Sequence, residues 1–255
     1  MKKLSSIRKV PAPSRLLSGL ATIMLLLFAV SCQKDDPDPV PVTRSLQVWL
    51  HRVNTPGKAQ YFQDNYRGFE LDVHYDTSIK TFIVKHNFTD TSTLTLPVWL
   101  GCIRSPERLG YWLDFKNLTL ENGSEAFREL LRIRHTFNLT ENLIVVESDI
   151  PAALLPFDTL NFRISFYSPW FNPAGPTSEE EQAWADYIQE NVAATGIKTI
   201  SGYYFQHDLM QQWFPKMNKL LWYLDSYDPA VKDSVITLTR KDHTVEVLLV
   251  AEDYL

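Results

Sequence analysis

From residue 44 onward, eight short apolar runs recur between stretches that carry helical spacing or turn residues, and this alternation constrains the fold more than any other feature. The runs are SLQVWLH (45–51), GFELDVHY (68–75), YWLDFK (111–116), LIVVES (143–148), FRISFY (162–167), TISGYYF (199–205), KLLWYL (219–224) and VEVLLVAE (245–252), with TFIVKH (81–86) a short extension of the second. Between them, 124–138 sets Phe127, Leu130 and Leu131 on one helical face, and 178–195 does the same with Trp184, Tyr187, Ile188 and Val192. Ser178, with Glu181 three residues on, predicts a capping box. Nearly continuous apolar strands are what a parallel sheet covered on both faces requires. Eight such units predict an α/β fold, a small (β/α)8 barrel in one domain over 44–255, lacking the helix that would follow its last strand. A doubly wound open sheet is the alternative, though no glycine-rich phosphate loop follows the first run.

The N-terminal residues follow different rules. Residues 1–31 hold Lys2, Lys3, Arg8, Lys9 and Arg15 and no acid, and Leu20 to Val30 is an apolar run of 11 residues. Such a run is too short to cross a bilayer of about 30 Å at 1.5 Å per residue, and it predicts a secretory signal. Ala29-Val30-Ser31 before Cys32 resembles the lipobox of bacterial lipoproteins, with Ala29 in place of the usual leucine. That resemblance implies diacylation of Cys32 and export to the outer membrane of a Gram-negative bacterium, held by the lipid anchor alone. Residues 32–43 then form an acidic, proline-rich tether. Without the leader, basic residues fall from 25 to 20 against 30 acidic ones, which argues against a nucleic-acid partner.

Groups able to do chemistry gather at the C-terminal ends of the first three strands. Side chains alternate along a strand, so Glu70 and Asp72 share one face, as do Asp114 and Lys116. His51 ends the first run and His86 ends the extension. In a barrel these ends line the mouth where active sites form. Three carboxylates and one lysine leave a net charge of −2 with neutral histidines, and uncompensated charge in a partly desolvated mouth costs several kcal/mol per ion. One divalent cation held by Glu70, Asp72 and Asp114 would cancel it, and oxygen-only ligands favour Mg2+ or Ca2+ over zinc. The same spacing also suits an inward salt-bridge cluster or solvated strand ends.

Taken in order, these residues resemble the superfamily of metal-dependent phosphodiesterase barrels that contains glycerophosphodiester phosphodiesterases, venom sphingomyelinase D enzymes and the menorin family. There a histidine ends strand one, an acidic-x-acidic pair ends strand two, a second histidine follows, and an acidic-x-Lys pair ends strand three. His51-Arg52-Val53-Asn54 is similar to H-M-V-N of sphingomyelinase D and H-A-A-N of menorins, and Phe69 to Tyr75 to the I-E-L-D-V of glycerophosphodiesterases. Leu113 to Leu118 is close to the menorin L-D-F-K-S-L, and Trp222 to Asp225 is more loosely like W-T-V-[DN]. The resemblance implies a metal-dependent phosphodiesterase acting on a glycerophosphodiester or phospholipid head group. It assigns His51 as base, His86 as acid, Lys116 as an aid to charge stabilisation, and a divalent ion to the three carboxylates. Asn54, Arg52, His207 and Trp222 become candidates for substrate contact. Two departures leave substrate choice open: no glutamate follows His51-Arg52 where glycerophosphodiesterases carry one, and Asn87 follows His86 where they carry aspartate. The alternative is a non-catalytic, menorin-like surface lipoprotein that binds a lipid or glycan.

Overall fold

The strands form because their outward and inward faces both find apolar partners. The computed structural model describes residues 47–158, 162–171, 175–224 and 229–252, so the signal, Cys32 and the tether lie outside the described residues. In chain order the elements are β1 (Gln47–Leu50), α1 (Pro56–Phe62), β2 (Gly68–Asp76), β3 (Thr81–Val84), α2 (Leu96–Leu100), β4 (Gly110–Phe115), α3 (Gly123–Phe137) and β5 (Ile144–Ser148). They continue with α4 (Pro151–Asp158), β6 (Arg163–Tyr167), α5 (Ser178–Thr195), β7 (Thr199–Tyr203), α6 (His207–Trp213), β8 (Asn218–Tyr223), α7 (Pro229–Lys241) and β9 (Val245–Val250). Eight parallel strands close into a barrel, β1 pairing with both β9 and β2. Closure rules out the open doubly wound sheet. No α-helix follows β9 among the described residues.

β3 lies antiparallel on the upper part of β2 and is not a barrel stave. It occupies an edge that β1 leaves bare, because β1 meets β2 only at Leu50 opposite Phe69. Above that point the seam is stitched by loops: Val53 N–H donates to the Glu70 carbonyl (2.8 Å) and Lys85 N–H to the Asp72 carbonyl (3.0 Å). Two segments that are distant in sequence, one after β1 and one after β3, therefore end beside the same two β2 residues.

Alternation along the strands divides the core in two. Leu50, Phe69, Leu71, Val73, Phe115 and Ile164 join the layer between barrel and helices, while Trp49, Trp112, Val145, Leu220, Trp222, Val247 and Leu249 cluster separately, at alternate positions of their strands. Fully burying side chains of this kind stabilises the fold by about 1.5–3 kcal/mol each. Trp49 fills its site only because Gly68 and Gly110 flank it. An added Cβ at Gly68 would stand 2.5 Å from Trp49 Cδ2, and one at Gly110 would overlap the indole.

Local expectations are met with small displacements. α3 buries Ala126, Leu130 and Ile133 and ends at Asn138 in the left-handed region (φ 52°), which asparagine tolerates. The capping box of α5 is formed by Thr177 and Glu180, one residue earlier than the sequence pattern predicts. Thr177 is the last extended residue (ψ 161°), so its side chain is the one that reaches the first-turn amides. Tyr187, expected on the buried face of α5, is 44 % exposed.

The packing of Trp49 predicts that Gly68→Ala and Gly110→Ala each destabilise the protein by about 1–3 kcal/mol through overpacking, read as a lower urea midpoint. A midpoint equal to wild type would show that the indole moves aside without cost.

Candidate functional site

The loop after β1 is fixed at three points before it carries any chemistry. Arg52 has φ 51°, a left-handed conformation that costs a non-glycine residue about 1–2 kcal/mol. It aims the Arg52 N–H at Glu70 Oε2, 2.5 Å away. Next, Trp99 of α2 donates its indole N–H to the Val53 carbonyl (3.0 Å). Asn54 then bridges to Asp72, donating from Nδ2 to Oδ2 (2.6 Å) while its Oδ1 accepts the Asp72 amide (3.0 Å).

Asp72 gathers the rest. Its Oδ1 lies 2.9 Å from His86 Nδ1 and 3.0 Å from Lys116 Nζ, and Lys116 also bonds to Asp114. Arg52 Nε stands 3.6 Å from Asp72 Oδ2, and its guanidinium reaches the His86 ring at 3.3 Å. His51 Nε2 is 3.6 Å from Glu70 Oε2. His86 lies two residues beyond the end of β3 rather than in it; the β3-to-α2 segment carries it over the mouth. His74 supports that segment from below, its buried Nε2 lying 3.2 Å from the His86 carbonyl.

The residues line one cavity of about 340 Å³ at the C-terminal end of the barrel, with His51, Arg52, Glu70, His86, Asp114 and Lys116 on one side. Of the substrate-contact candidates, Trp222 lines this cavity and Asn54 holds Asp72, whereas His207 is elsewhere. Its Nε2 pairs with Asp242 Oδ2 (2.8 Å), which in turn neighbours the buried Lys219. A turn of 3-10 helix after β7 carries the chain away from the mouth before His207 begins α6. Glu147, Trp112, Tyr167 and Tyr203 complete the wall along β4–β7. Alternation places Glu147 inward, but only the closed barrel turns it toward the site.

Burial governs the electrostatics. It pushes Glu70 and Glu147 well above the usual carboxylate range, reinforced by Asp72 and Asp114 for Glu70 and by Asp114 for Glu147. Asp114 is raised by burial in spite of Lys116. Burial also pushes Asp72 upward, but Lys116 and hydrogen bonds from His86 and Asn54 outweigh it and hold it low. Lys116 is raised, its two carboxylate partners overcoming its own desolvation. His51 falls to about 4, through burial and then the nearby Arg52 charge. Burial and Glu147 push the Tyr167 phenol up to about 12.

Glu70, Asp72 and Asp114 offer carboxylate oxygens all within 4.8 Å of one another. Glu70 Oε1 is buried with no hydrogen-bond partner among the described residues, and the donor set is oxygen alone. These residues fit a hard divalent cation.

No family model matches the chain, and no curated protein matches it in sequence. Solved structures do match. A glycerophosphodiester phosphodiesterase from Parabacteroides distasonis superposes with a TM-score of 0.57 at 14 % identity, over 81 % of this chain and 93 % of that one. A phosphodiesterase from Oleispira antarctica, in complex with its product sn-glycerol-3-phosphate, gives 0.54 at 12 % identity, over 81 % and 93 %. The fold is shared with glycerophosphodiester phosphodiesterases. The catalytic domain of a Pyrococcus furiosus chitinase also superposes (TM-score 0.53, 10 % identity, 81 % and 85 % covered), so what superposition establishes is the barrel.

The raised carboxylates set a pH dependence. An acid with a raised folded-state pKa contributes stability that is fully present below its unfolded value and is lost as pH rises through the folded one. Metal-free protein should therefore lose stability from about pH 4 upward through Glu70, Glu147 and Asp114. Adding Ca2+ or Mg2+ at pH 7.5 to about 100 times its dissociation constant should contribute about 2.7 kcal/mol, or roughly 5–10 °C in Tm. The shift should shrink at pH 5 and vanish in Glu70→Gln. Calorimetric scans with and without chelator test this, and an unchanged Tm at pH 7.5 with either ion in excess would refute cation binding.

Proposed function

We propose that the chain is a divalent-cation-dependent phosphodiesterase that cleaves a glycerophosphodiester or phospholipid head group. The observation that carries this reading is that two histidines flank a cluster of three carboxylates and one lysine in a single cavity at the mouth of the barrel. The fold shared with glycerophosphodiester phosphodiesterases supports it.

A Mg2+ or Ca2+ ion held by Glu70, Asp72 and Asp114 would supply positive charge to stabilise the negative charge that builds on the phosphoryl oxygens. Lys116, fixed between Asp72 and Asp114, adds a charge-assisted donor for the same oxygens. Arg52, half exposed at the rim, offers a second cationic group to an anionic substrate. His51, neutral at physiological pH because of its depressed pKa, takes the proton of the attacking hydroxyl, from water or from the substrate itself. His86 returns a proton to the leaving alkoxide. Its Nδ1 is paired with Asp72, which holds the ring in orientation at the mouth.

If this is the chemistry, His51→Ala and His86→Ala should each lower kcat/KM by about 10²- to 10⁴-fold. The double variant should lose little more than the worse single one, because both act in one proton-transfer cycle. A panel of phosphodiesters assayed with and without Mg2+ or Ca2+ makes the measurement. Absence of turnover of every ester by wild type, with cation present, would favour the menorin-like binding protein.

The proposal includes export and anchoring through an acylated Cys32, with the barrel tethered at a membrane surface. No described helix is long and apolar enough to cross a membrane. Stable anchoring takes two acyl chains or a second signal, so Cys32→Ala should move the protein from the membrane fraction to the soluble one. Retention of the variant in washed membranes would overturn the anchor.

A further inference from the structure

One buried histidine takes no part in the proton transfers above. His74 stands near the upper end of β2, two residues beyond Asp72 and on the same face of the strand, and is 3 % exposed. Burying an imidazole where an aliphatic side chain would fit costs desolvation that only a hydrogen bond offsets. Its partner is the carbonyl of His86, 3.2 Å from Nε2. Burial lowers the pKa of the ring, so it is neutral near pH 7 and has one N–H to give; a carbonyl only accepts, which puts that hydrogen on Nε2. Phe88 closes over the ring edge-on, 4.6 Å between centroids at 84°, although Phe88 itself is 70 % exposed.

The segment 85–94 that carries His86 has no helix or strand of its own. Its turn is closed by internal bonds, from Asn87 N–H to Asp90 Oδ2 (2.8 Å) and from Asp90 N–H to the Asn87 carbonyl (3.2 Å). It meets β2 where Lys85 N–H donates to the Asp72 carbonyl (3.0 Å), where His86 Nδ1 lies beside Asp72 Oδ1 (2.9 Å), and where the His86 carbonyl accepts from His74. A ring bonded at Nδ1 alone can still swing as its backbone moves. Fixing the carbonyl of the same residue removes that freedom, so Asp72 and His74 hold His86 as a bracket, from two alternate positions of one strand.

We infer that His74 is the positioning residue of His86: its Nε2–H, bonded to the His86 carbonyl, fixes where the His86 imidazole stands in the mouth. The inference rests on the phosphodiesterase reading, in which His86 gives the leaving alkoxide its proton. His74 does not line the cavity and acts only through His86. Misplacing a catalytic group by about 1 Å can cost roughly 10²-fold in rate, so the bond should show in turnover.

Two esters of glycerol 3-phosphate separate this role from a merely structural one, each assayed with Mg2+ or Ca2+ present. The methyl ester expels an alkoxide that needs a proton, whereas the p-nitrophenyl ester expels a phenolate that leaves without one. His74→Phe keeps a ring against Phe88 and removes the donor. It should lower kcat on the methyl ester by about 10- to 100-fold with KM unchanged, and leave the p-nitrophenyl ester within about twofold of wild type. His74→Gln, whose side-chain amide can replace the Nε2–H, should restore most of the methyl-ester rate. Equal loss on both esters, no loss on either, or no recovery in His74→Gln would overturn the inference. Tm checks that the variants fold; should His74→Phe not fold, His74→Leu carries the same comparison. Failure of wild type to cleave either ester sinks the phosphodiesterase reading instead. In that case, or if only the p-nitrophenyl ester is cleaved, the bond is read from proton–nitrogen correlation spectra of the histidine rings. A shift of the His86 ring signals in His74→Phe that His74→Gln reverses supports positioning, and unchanged signals overturn it.

Discussion

The carboxylate of Asp72 is the junction at which the loops around the mouth are tied together. It accepts from Asn54 after β1, His86 after β3 and Lys116 after β4, while its own amide donates back to Asn54. Each partner arrives on a different connection of the barrel. Removing one partner from a buried, charged junction of this kind typically costs about 3–5 kcal/mol. Here the loss would extend beyond stability, because the same bonds orient His86 and Lys116.

That junction exists because the barrel is incomplete at one seam. β1 and β2 pair at a single position, and the rest of the β2 edge is satisfied by β3 and by the 51–54 loop. A buried backbone edge must be paired, so the chain segments that cover it are held closely and bring His51 and His86 with them. The mouth is then lined by carboxylates on β2, β4 and β5 that burial makes reluctant to ionise. Asp72 is the exception, kept charged by Lys116, His86 and Asn54. A cation among Glu70, Asp72 and Asp114 would resolve the tension, and Glu147, one strand further on, lies outside that set.

Aromatic packing gives the interior its shape. Trp49, seated over Gly68 and Gly110, fills the N-terminal half of the barrel, and Trp112 and Trp222 meet edge-to-face above it (6.1 Å). Trp112 and Trp222 in turn line the cavity.

Much of this was legible in the residues themselves. Periodicity fixes which positions of GFELDVHY and YWLDFK share a face, so the pairs Glu70 with Asp72 and Asp114 with Lys116 follow from alternation, while the register that sets Asp72 beside Asp114 comes from the fold. Strand count and the strand–helix rhythm imply a barrel for the same local reason. Other facts depend on contacts between distant segments. Periodicity gives no register, so the weak β1–β2 seam, the outlying β3 and the route of His86 over the mouth were decided only when the barrel closed. His207 shows the converse: its position after a strand left the cleft and a rim loop both open, and a short 3-10 turn that no spacing announces placed it beside Asp242. Glu147 stands between the two cases. Its inward direction belongs to the sequence, but the wall it forms with Trp112, Tyr167 and Tyr203 is drawn from four strands and is assembled only by the tertiary fold.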